Sequence, residues 1–211
     1  MNNLRSEILK NHDGLFWPAD DIGTYLYLKH EVGIIAWAVK HVPEPKVLVQ
    51  AGGNCGYYVE RYARIFDQVH TFEPDALNFR CLVLNVPYDN VSFYRAALGA
   101  EAREVGMKVN RVSRGATGVD LVGSGVRMVT LDSLNLPRVD LIHLDIEGSE
   151  LMALRGAAMT IGQCRPVVVL EINGRCRDFG YTEEQISSCM HGFGYLSGGR
   201  MHDEFLFLPL G

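Results

Sequence analysis

Four short clusters in this 211-residue chain carry residue types that could do chemistry together. Ala51-Gly52-Gly53-Asn54-Cys55-Gly56 is a glycine loop, in which the missing Cβ atoms allow a tight turn and let a ligand approach the main chain. Glu73 follows about 20 residues later, where a carboxylate can accept hydrogen bonds from both hydroxyls of a ribose. Arg95-Ala96-Ala97-Leu98 offers small side chains for an adenine-sized slot. Asp145-Ile146-Glu147-Gly148, then Glu171 and Asn173, supply carboxylates and an amide that can handle a proton or ligate a hard cation.

The glycine spacing separates two kinds of nucleoside ligand. A dinucleotide fingerprint reads G-x-G-x-x-G and seats a pyrophosphate on a helix N-terminus. Here the glycines fall at 52, 53 and 56, and Asn54 stands where that fingerprint has no place for it. The pattern favours S-adenosylmethionine, which has no phosphate to cradle.

These residues need a frame that brings them to one edge. Short β-rich runs at 47–51, 69–73, 91–95, 139–145 and 166–171 alternate with helical patterns, the signature of a parallel sheet covered by helices. Tyr58, Val59, Tyr62, Ile65 and Phe66 share one face after the first run, and a helix follows Pro74 to about Asn85. Ser149 is read as the N-cap of a helix whose apolar face carries Leu151, Leu154 and Ala158. Thr182-Glu183-Glu184-Gln185 has the capping-box spacing. Runs at 193–196 and 204–208 flank Gly198-Gly199, which predicts a terminal hairpin turning there. Residues 100 to 130, rich in Gly, Ser and Arg, are expected to form irregular or antiparallel β structure.

The expected fold is therefore α/β, a Rossmann-like, mostly parallel sheet with an antiparallel C-terminal hairpin. In such sheets ligands bind beyond the carboxyl ends of the strands, where all four clusters fall. Residues 41–211 form the domain. Residues 1–40, with Phe16-Trp17-Pro18-Ala19-Asp20-Asp21 and an apolar helix, are read as an extension that packs on the sheet or lids the site.

The chain resembles the FkbM family of methyltransferases over about residues 45 to 173. The resemblance lies in 47–58, in Phe72-Glu73-Pro74-Asp75 with Asn78 and Asn85, and in Ala96-Ala97-Leu98-Gly99. It continues in Val129-Thr130-Leu131-Asp132-Ser133-Leu134 and in 140–150, then runs through Leu154-Arg155-Gly156-Ala157 to Arg165-Pro166 and Glu171-Ile172. It implies a class I methyltransferase fold, S-adenosylmethionine as donor, and O-methylation of a hydroxyl on a sugar or natural product. Two positions depart from it. Gln50 stands where the family usually has an Asp that organises the methionine end of the cofactor, and His143 stands where it favours Lys. His143 is then either a core residue or a titratable group near the site.

Cofactor contacts are assigned to Gln50, Gly52, Gly53, Asn54, Gly56, Tyr57, Glu73, Pro74, Ala96, Ala97 and Asp145. Methyl transfer to a hydroxyl must align donor and acceptor and remove the hydroxyl proton, so Asp145 and Glu147 are the candidate catalytic residues. Asp145, Glu171 and Asn173 could also ligate Mg²⁺. The reading preferred over a metal is that Glu147 and Glu171 cap helices or pair with Arg155 or Arg165. The alternatives to an O-methyltransferase of a small or carbohydrate-like acceptor are a cofactor-binding protein without catalysis, an NAD-dependent oxidoreductase and an RNA ribose methyltransferase.

Composition narrows the partners. A formal charge of −5 argues against sequence-independent nucleic-acid binding and favours a small-molecule or carbohydrate acceptor. The apolar runs at 32–39 and 167–170 are too short to span a bilayer. Met1-Asn2-Asn3-Leu4-Arg5 leads into no apolar stretch, so no secretory signal is expected. Five scattered cysteines without CxxC pairs read as reduced thiols of a cytoplasmic protein.

Overall fold

A computed structural model describes residues 8–10, 13–31, 33–110 and 113–210. The leader reading at Met1-Asn2-Asn3-Leu4-Arg5 lies outside them. The chain opens with β1 (Ile8–Lys10), β2 (Phe16–Pro18), α1 (Ile22–Glu31) and α2 (Gly33–Val39). Then come β3 (Val47–Ala51), α3 (Tyr57–Ala63), β4 (Gln68–Phe72), α4 (Ala76–Asn85) and β5 (Val91–Tyr94). The middle holds β6 (Ala97–Leu98), β7 (Arg103–Lys108), β8 (Gly118–Asp120) and β9 (Val126–Val129). Last are β10 (Leu141–Leu144), α5 (Glu150–Arg155), α6 (Ala158–Cys164), β11 (Val167–Glu171), α7 (Glu183–Gly192), β12 (Tyr195–Met201) and β13 (Glu204–Pro209).

Seven strands form the central sheet in the order β12-β13-β11-β10-β3-β4-β5. β3, β4, β5, β10 and β11 run parallel, and β13 is antiparallel to both its neighbours. Every residue of β3 and β10 is buried, as expected of apolar strands covered on both faces. One apolar layer joins α1 to α4, with Trp17, Tyr25, Val59, Tyr62 and Leu82 at its centre. The other joins α5 to α7, with Leu144, Leu154, Ile161, Ile186 and Phe207. The chain leaves β3 on one side and returns through β10 on the other, so the switch point lies between them.

The 100–130 stretch is antiparallel β, as its composition suggested: β7 pairs with both β8 and β9. Thr182 and Gln185 close a capping box at α7. Two expectations need correcting. Ser149 stands at the N-cap of α5 without capping it, because its hydroxyl donates instead to Ile146 O at 3.0 Å. The terminal hairpin turns at His202-Asp203 and not at Gly198-Gly199, which lie inside β12 at a register shift. Gly198 is there for packing, since a Cβ would sit 2.8 Å from Leu206 Cδ2.

The N-terminal segment is fastened to the sheet by Asn85. Its Oδ1 accepts from Phe16 N at 2.7 Å, and its Nδ2 donates to Phe16 O at 2.8 Å and to Cys55 O at 2.7 Å. One side chain thus ties β2 and the glycine loop to α4. Among the described residues no helix is long and apolar enough to cross a membrane.

Candidate active site

The glycine loop takes its shape from two strand ends. Gly52 and Gly53 both donate to Phe72 O of β4, at 3.0 and 2.9 Å. Gly52 has φ +86, and a Cβ on it would lie 1.8 Å from the carbonyl oxygen of Asp145. The loop therefore crosses the end of β10 in backbone contact, which only glycine permits.

Gln50 sits under this loop, 1% exposed. Its Nε2 donates to Ala51 O at 3.2 Å and Gly52 O at 2.9 Å, while its Oε1 accepts from Thr71 Oγ1 at 2.7 Å. An aspartate has no donors for those two carbonyls, so the amide does what a carboxylate could not. Gln50 is thereby scaffold, not cavity wall, which differs from the ligand contact expected of it. Gly56 is also behind the wall: it precedes α3 at φ +88 and packs where a Cβ would meet Val86 at 2.7 Å.

In front of the loop lies a cavity of about 540 Å³. Gly52, Gly53, Asn54, Tyr57, Glu73, Pro74, Ala96, Ala97, Asp145, Glu147, Glu171 and Asn173 all line it. Glu73 is 5% exposed; its Oε2 accepts from Asn54 N at 2.7 Å and its Oε1 from Asp75 N at 2.8 Å. Burial pushes its pKa up to about 8, against the pull of these two hydrogen bonds. Pro74, Asn78, Ala96 and Ala97 line the cavity around this carboxylate.

At the carboxyl ends of β10 and β11 the wall becomes acidic. Glu147 adopts a left-handed conformation, φ +58, and Gly148 follows at φ +99, where a Cβ would collide with the Arg175 backbone at 2.6 Å. The turn is held by Glu150, whose Oε1 accepts from Ile146 N at 3.1 Å and Gly148 N at 3.2 Å, and by Tyr181 OH donating to Gly148 O at 2.6 Å. A strained non-glycine residue kept this firmly is a mark of functional sites.

Carboxylate oxygens of Asp145, Glu147 and Glu171 lie within 4.8 Å of one another. Burial and mutual repulsion raise all three pKa values: Glu147 to about 8, Glu171 to about 10, and Asp145 upward as well. Asp145 and Glu171 are hydrogen-bonded to each other, so the pair holds a shared proton. The expected partners of the acids were partly wrong. Glu147 pairs with Arg175, Nη1 to Oε2 at 2.6 Å, not with Arg155 or Arg165. Asn173 caps the turn after β11, accepting from Arg175 N at 3.0 Å.

His143 resolves as a core residue. It is 0% exposed, with Nδ1 2.9 Å from Tyr62 OH and Nε2 3.3 Å from Glu204 Oε1. Several lining residues had no signal in the sequence: Thr24 and Tyr27 on α1, residues 113–118, Arg175, and Asp203 in the hairpin turn. They reach the cavity from segments far apart in the chain, and none belongs to a motif.

A sheet of this order, with a glycine turn after its first central strand and an acid after the second, defines the class I S-adenosylmethionine-dependent methyltransferase fold. The methyltransferase FkbM domain matches residues 50–197, more than half of the chain. The chain belongs to the FkbM methyltransferase family. It is similar to the crystal structure of methyltransferase FkbM from Methylobacillus flagellatus KT, with TM-score 0.58 and 20% identity over 78% of this chain and 44% of that one. It thus spans less than half of that protein's length. N-methyltransferase NodS from Bradyrhizobium japonicum WM9, solved with S-adenosyl-L-homocysteine, shares the fold at TM-score 0.54 and 11% identity, over 99% of this chain and 97% of that one. Magnesium protoporphyrin IX methyltransferase from Synechocystis PCC 6803, with bound S-adenosylmethionine, aligns at TM-score 0.52 and 12% identity over 88% and 81%. No curated protein matches the chain.

Proposed function

We propose that the chain moves a methyl group from S-adenosylmethionine to a hydroxyl of a small or carbohydrate-like acceptor. The observation that carries this reading is one cavity with two unlike ends. Gly52, Gly53 and Glu73 supply backbone and carboxylate for a nucleoside, while Asp145, Glu147 and Glu171 supply carboxyl groups that can exchange a proton. As the acceptor oxygen bonds to the sulfonium methyl, the carbon–sulfur bond breaks and S-adenosylhomocysteine leaves as a neutral thioether. The hydroxyl proton passes to an ionised carboxylate of this cluster, with Asp145 the candidate base because it stands at the end of β10 and lines the cavity. The negative net charge supports a small acceptor over a nucleic acid. The free cysteines among the described residues fit a reducing, cytoplasmic setting.

Thermal melting with S-adenosylhomocysteine and with NADH tests the cofactor, since a ligand that binds only the native state raises the melting temperature. Stabilisation by the former is expected, and stabilisation by NADH alone would sink the proposal. Release of S-adenosylhomocysteine from S-adenosylmethionine with hydroxylated acceptors then tests the reaction. Binding without turnover on any of them would leave a cofactor-binding protein.

Glu73→Gln gives a sharper test of the nucleoside end. The amide turns a donor toward either Asn54 N–H or Asp75 N–H, both of which now donate to Glu73. At pH 9, above the Glu73 pKa of about 8, S-adenosylhomocysteine should bind about 10- to 100-fold more weakly, the range for losing hydrogen bonds to a charged group. Unchanged affinity by calorimetry would remove Glu73 from the site.

A divalent cation is the second reading, favoured by the convergence of Asp145, Glu147 and Glu171. These oxygens could hold Mg²⁺, which would acidify the acceptor hydroxyl. Activity that survives EDTA and is not raised by added Mg²⁺ would exclude it.

A further inference from the structure

One wall of the cavity is assembled differently from the rest. Thr24 of α1 meets residues 113–118 there, and both line the cavity together with Gly53 and Pro74. Thr24 Oγ1 accepts from Gly115 N at 3.0 Å, lies 3.2 Å from Ser113 Oγ, and donates to Asp21 Oδ1 at 2.7 Å. Arg114 grips Asp20 through two nitrogens, at 2.9 and 3.2 Å, and its Nη1 lies 3.9 Å from Asp75 Oδ1. Asp75 is the N-cap of α4 and follows Glu73-Pro74 directly, so Arg114 links the N-terminal segment to the nucleoside end.

The opposing walls are strand ends fixed by the central sheet. This seam is polar: residues 113–118 are only half-buried, and the apolar packing of the small sheet begins at Val119. A contact made of hydrogen bonds and a part-exposed ion pair exchanges readily with water, whereas separating packed apolar strands does not. The fit at the seam is close, because a Cβ on Gly115 would lie 2.5 Å from Thr24 Cγ2.

We propose that the seam between α1 and residues 113–118 is the gate through which the cofactor enters and leaves, latched by Arg114 on Asp20. The proposal rests on the reading of this cavity as an S-adenosylmethionine site. A gate differs from a ligand contact in its kinetics. Loosening a gate speeds entry and exit together, while losing a ligand contact speeds exit alone.

Stopped-flow binding of S-adenosylhomocysteine to the full chain separates the two. Arg114→Met removes the latch, Thr24→Val removes the hydroxyl on the other side, and Gly115→Ala wedges the seam. Each should raise the association and dissociation rates together, by about tenfold for Arg114→Met, with the dissociation constant changed less than about threefold. Raising salt should speed both rates in the native protein and act less on Arg114→Met, since the ion pair is screened. Melting temperatures of the variants report that the fold is kept. A faster dissociation with unchanged association would overturn the proposal and make Arg114 a ligand contact. Unchanged rates in all three variants would place the entry path elsewhere. Failure of the native protein to bind would refute the underlying cofactor reading instead.

Discussion

Gly52→Ala is expected to abolish S-adenosylhomocysteine binding and to destabilise the free protein by about 2 to 5 kcal/mol. That range sums about 1–2 kcal/mol for a left-handed non-glycine residue and about 1–3 kcal/mol for overpacking. Two features of the site make these costs unavoidable together. The residue has φ +86, and its Cβ would lie 1.8 Å from the Asp145 carbonyl oxygen, well inside any contact distance. Neither partner can yield easily. The Asp145 amide donates to Ala51 O at 3.1 Å, and Gly52 N donates to Phe72 O at 3.0 Å, so the contact is locked into three adjacent strands. Relief would push the loop outward into the cavity and drag the tip of β10 with it. Denaturant unfolding and calorimetry check both effects. Gly162→Ala is the control: it lies in α6, a Cβ there meets nothing within 4 Å, and it should be neutral or slightly stabilising. If Gly52→Ala folded and bound like the native chain, the close crossing of loop and strand would be wrong.

That crossing also explains what could be read from the sequence. Gly52 and Glu73 stood out because their constraints are local: a strand, a positive φ, then an acid at the next strand's end. The parallel strands were legible as apolar runs, since burial on both faces leaves Gln50 as the one polar residue in 47–51 and 167–170. Gln50 was harder, because Thr71, which fixes its amide from the other side, becomes a neighbour only after β3 pairs with β4. The hairpin turn was misplaced for a related reason. Gly198 reads as a turn residue but makes room for Leu206 across the ladder, while His202 takes the positive φ at the true turn. The wall at Thr24 and 113–118 was expected only as a segment, since residues 1–40 are read as packing on the sheet or lidding the site, and its individual side chains had no signature. Its hydrogen bonds join residues about 90 positions apart through ordinary Thr, Ser, Arg and Asp side chains. Glu147 was chosen for its position after β10, yet its pairing with Arg175 depends on how the turn after β11 folds back.

The acidic cluster should make the free protein less stable as pH rises, and Glu171→Gln should remove part of that loss. The sign follows from where the protons sit. Burial and the neighbouring Asp145 push the Glu171 pKa from an ordinary carboxyl value to about 10. Between about pH 4.5 and 10 the folded state therefore keeps a proton that the unfolded chain has released. Stability falls with pH across that window, by up to about 1.4 kcal/mol per unit for one such group. Glu73 and Glu147, raised to about 8, and Glu150, raised to about 7, add to the slope over narrower ranges. Glutamine keeps the size of the protonated acid and can still donate to Asp145, but it does not titrate. Glu171→Gln should match the native chain near pH 5 and exceed its stability increasingly toward pH 9, with a shallower slope throughout. Urea unfolding at several pH values measures this directly. Equal destabilisation at every pH would mean that the carboxyl is simply a packed hydrogen-bonding group. Repeating the series with Mg²⁺ distinguishes the two proposed roles of the cluster. A cation held by the three carboxylates would stabilise the native chain most at high pH, where they ionise, and would lose that effect in Glu171→Gln. A base that works without metal leaves both curves where they were.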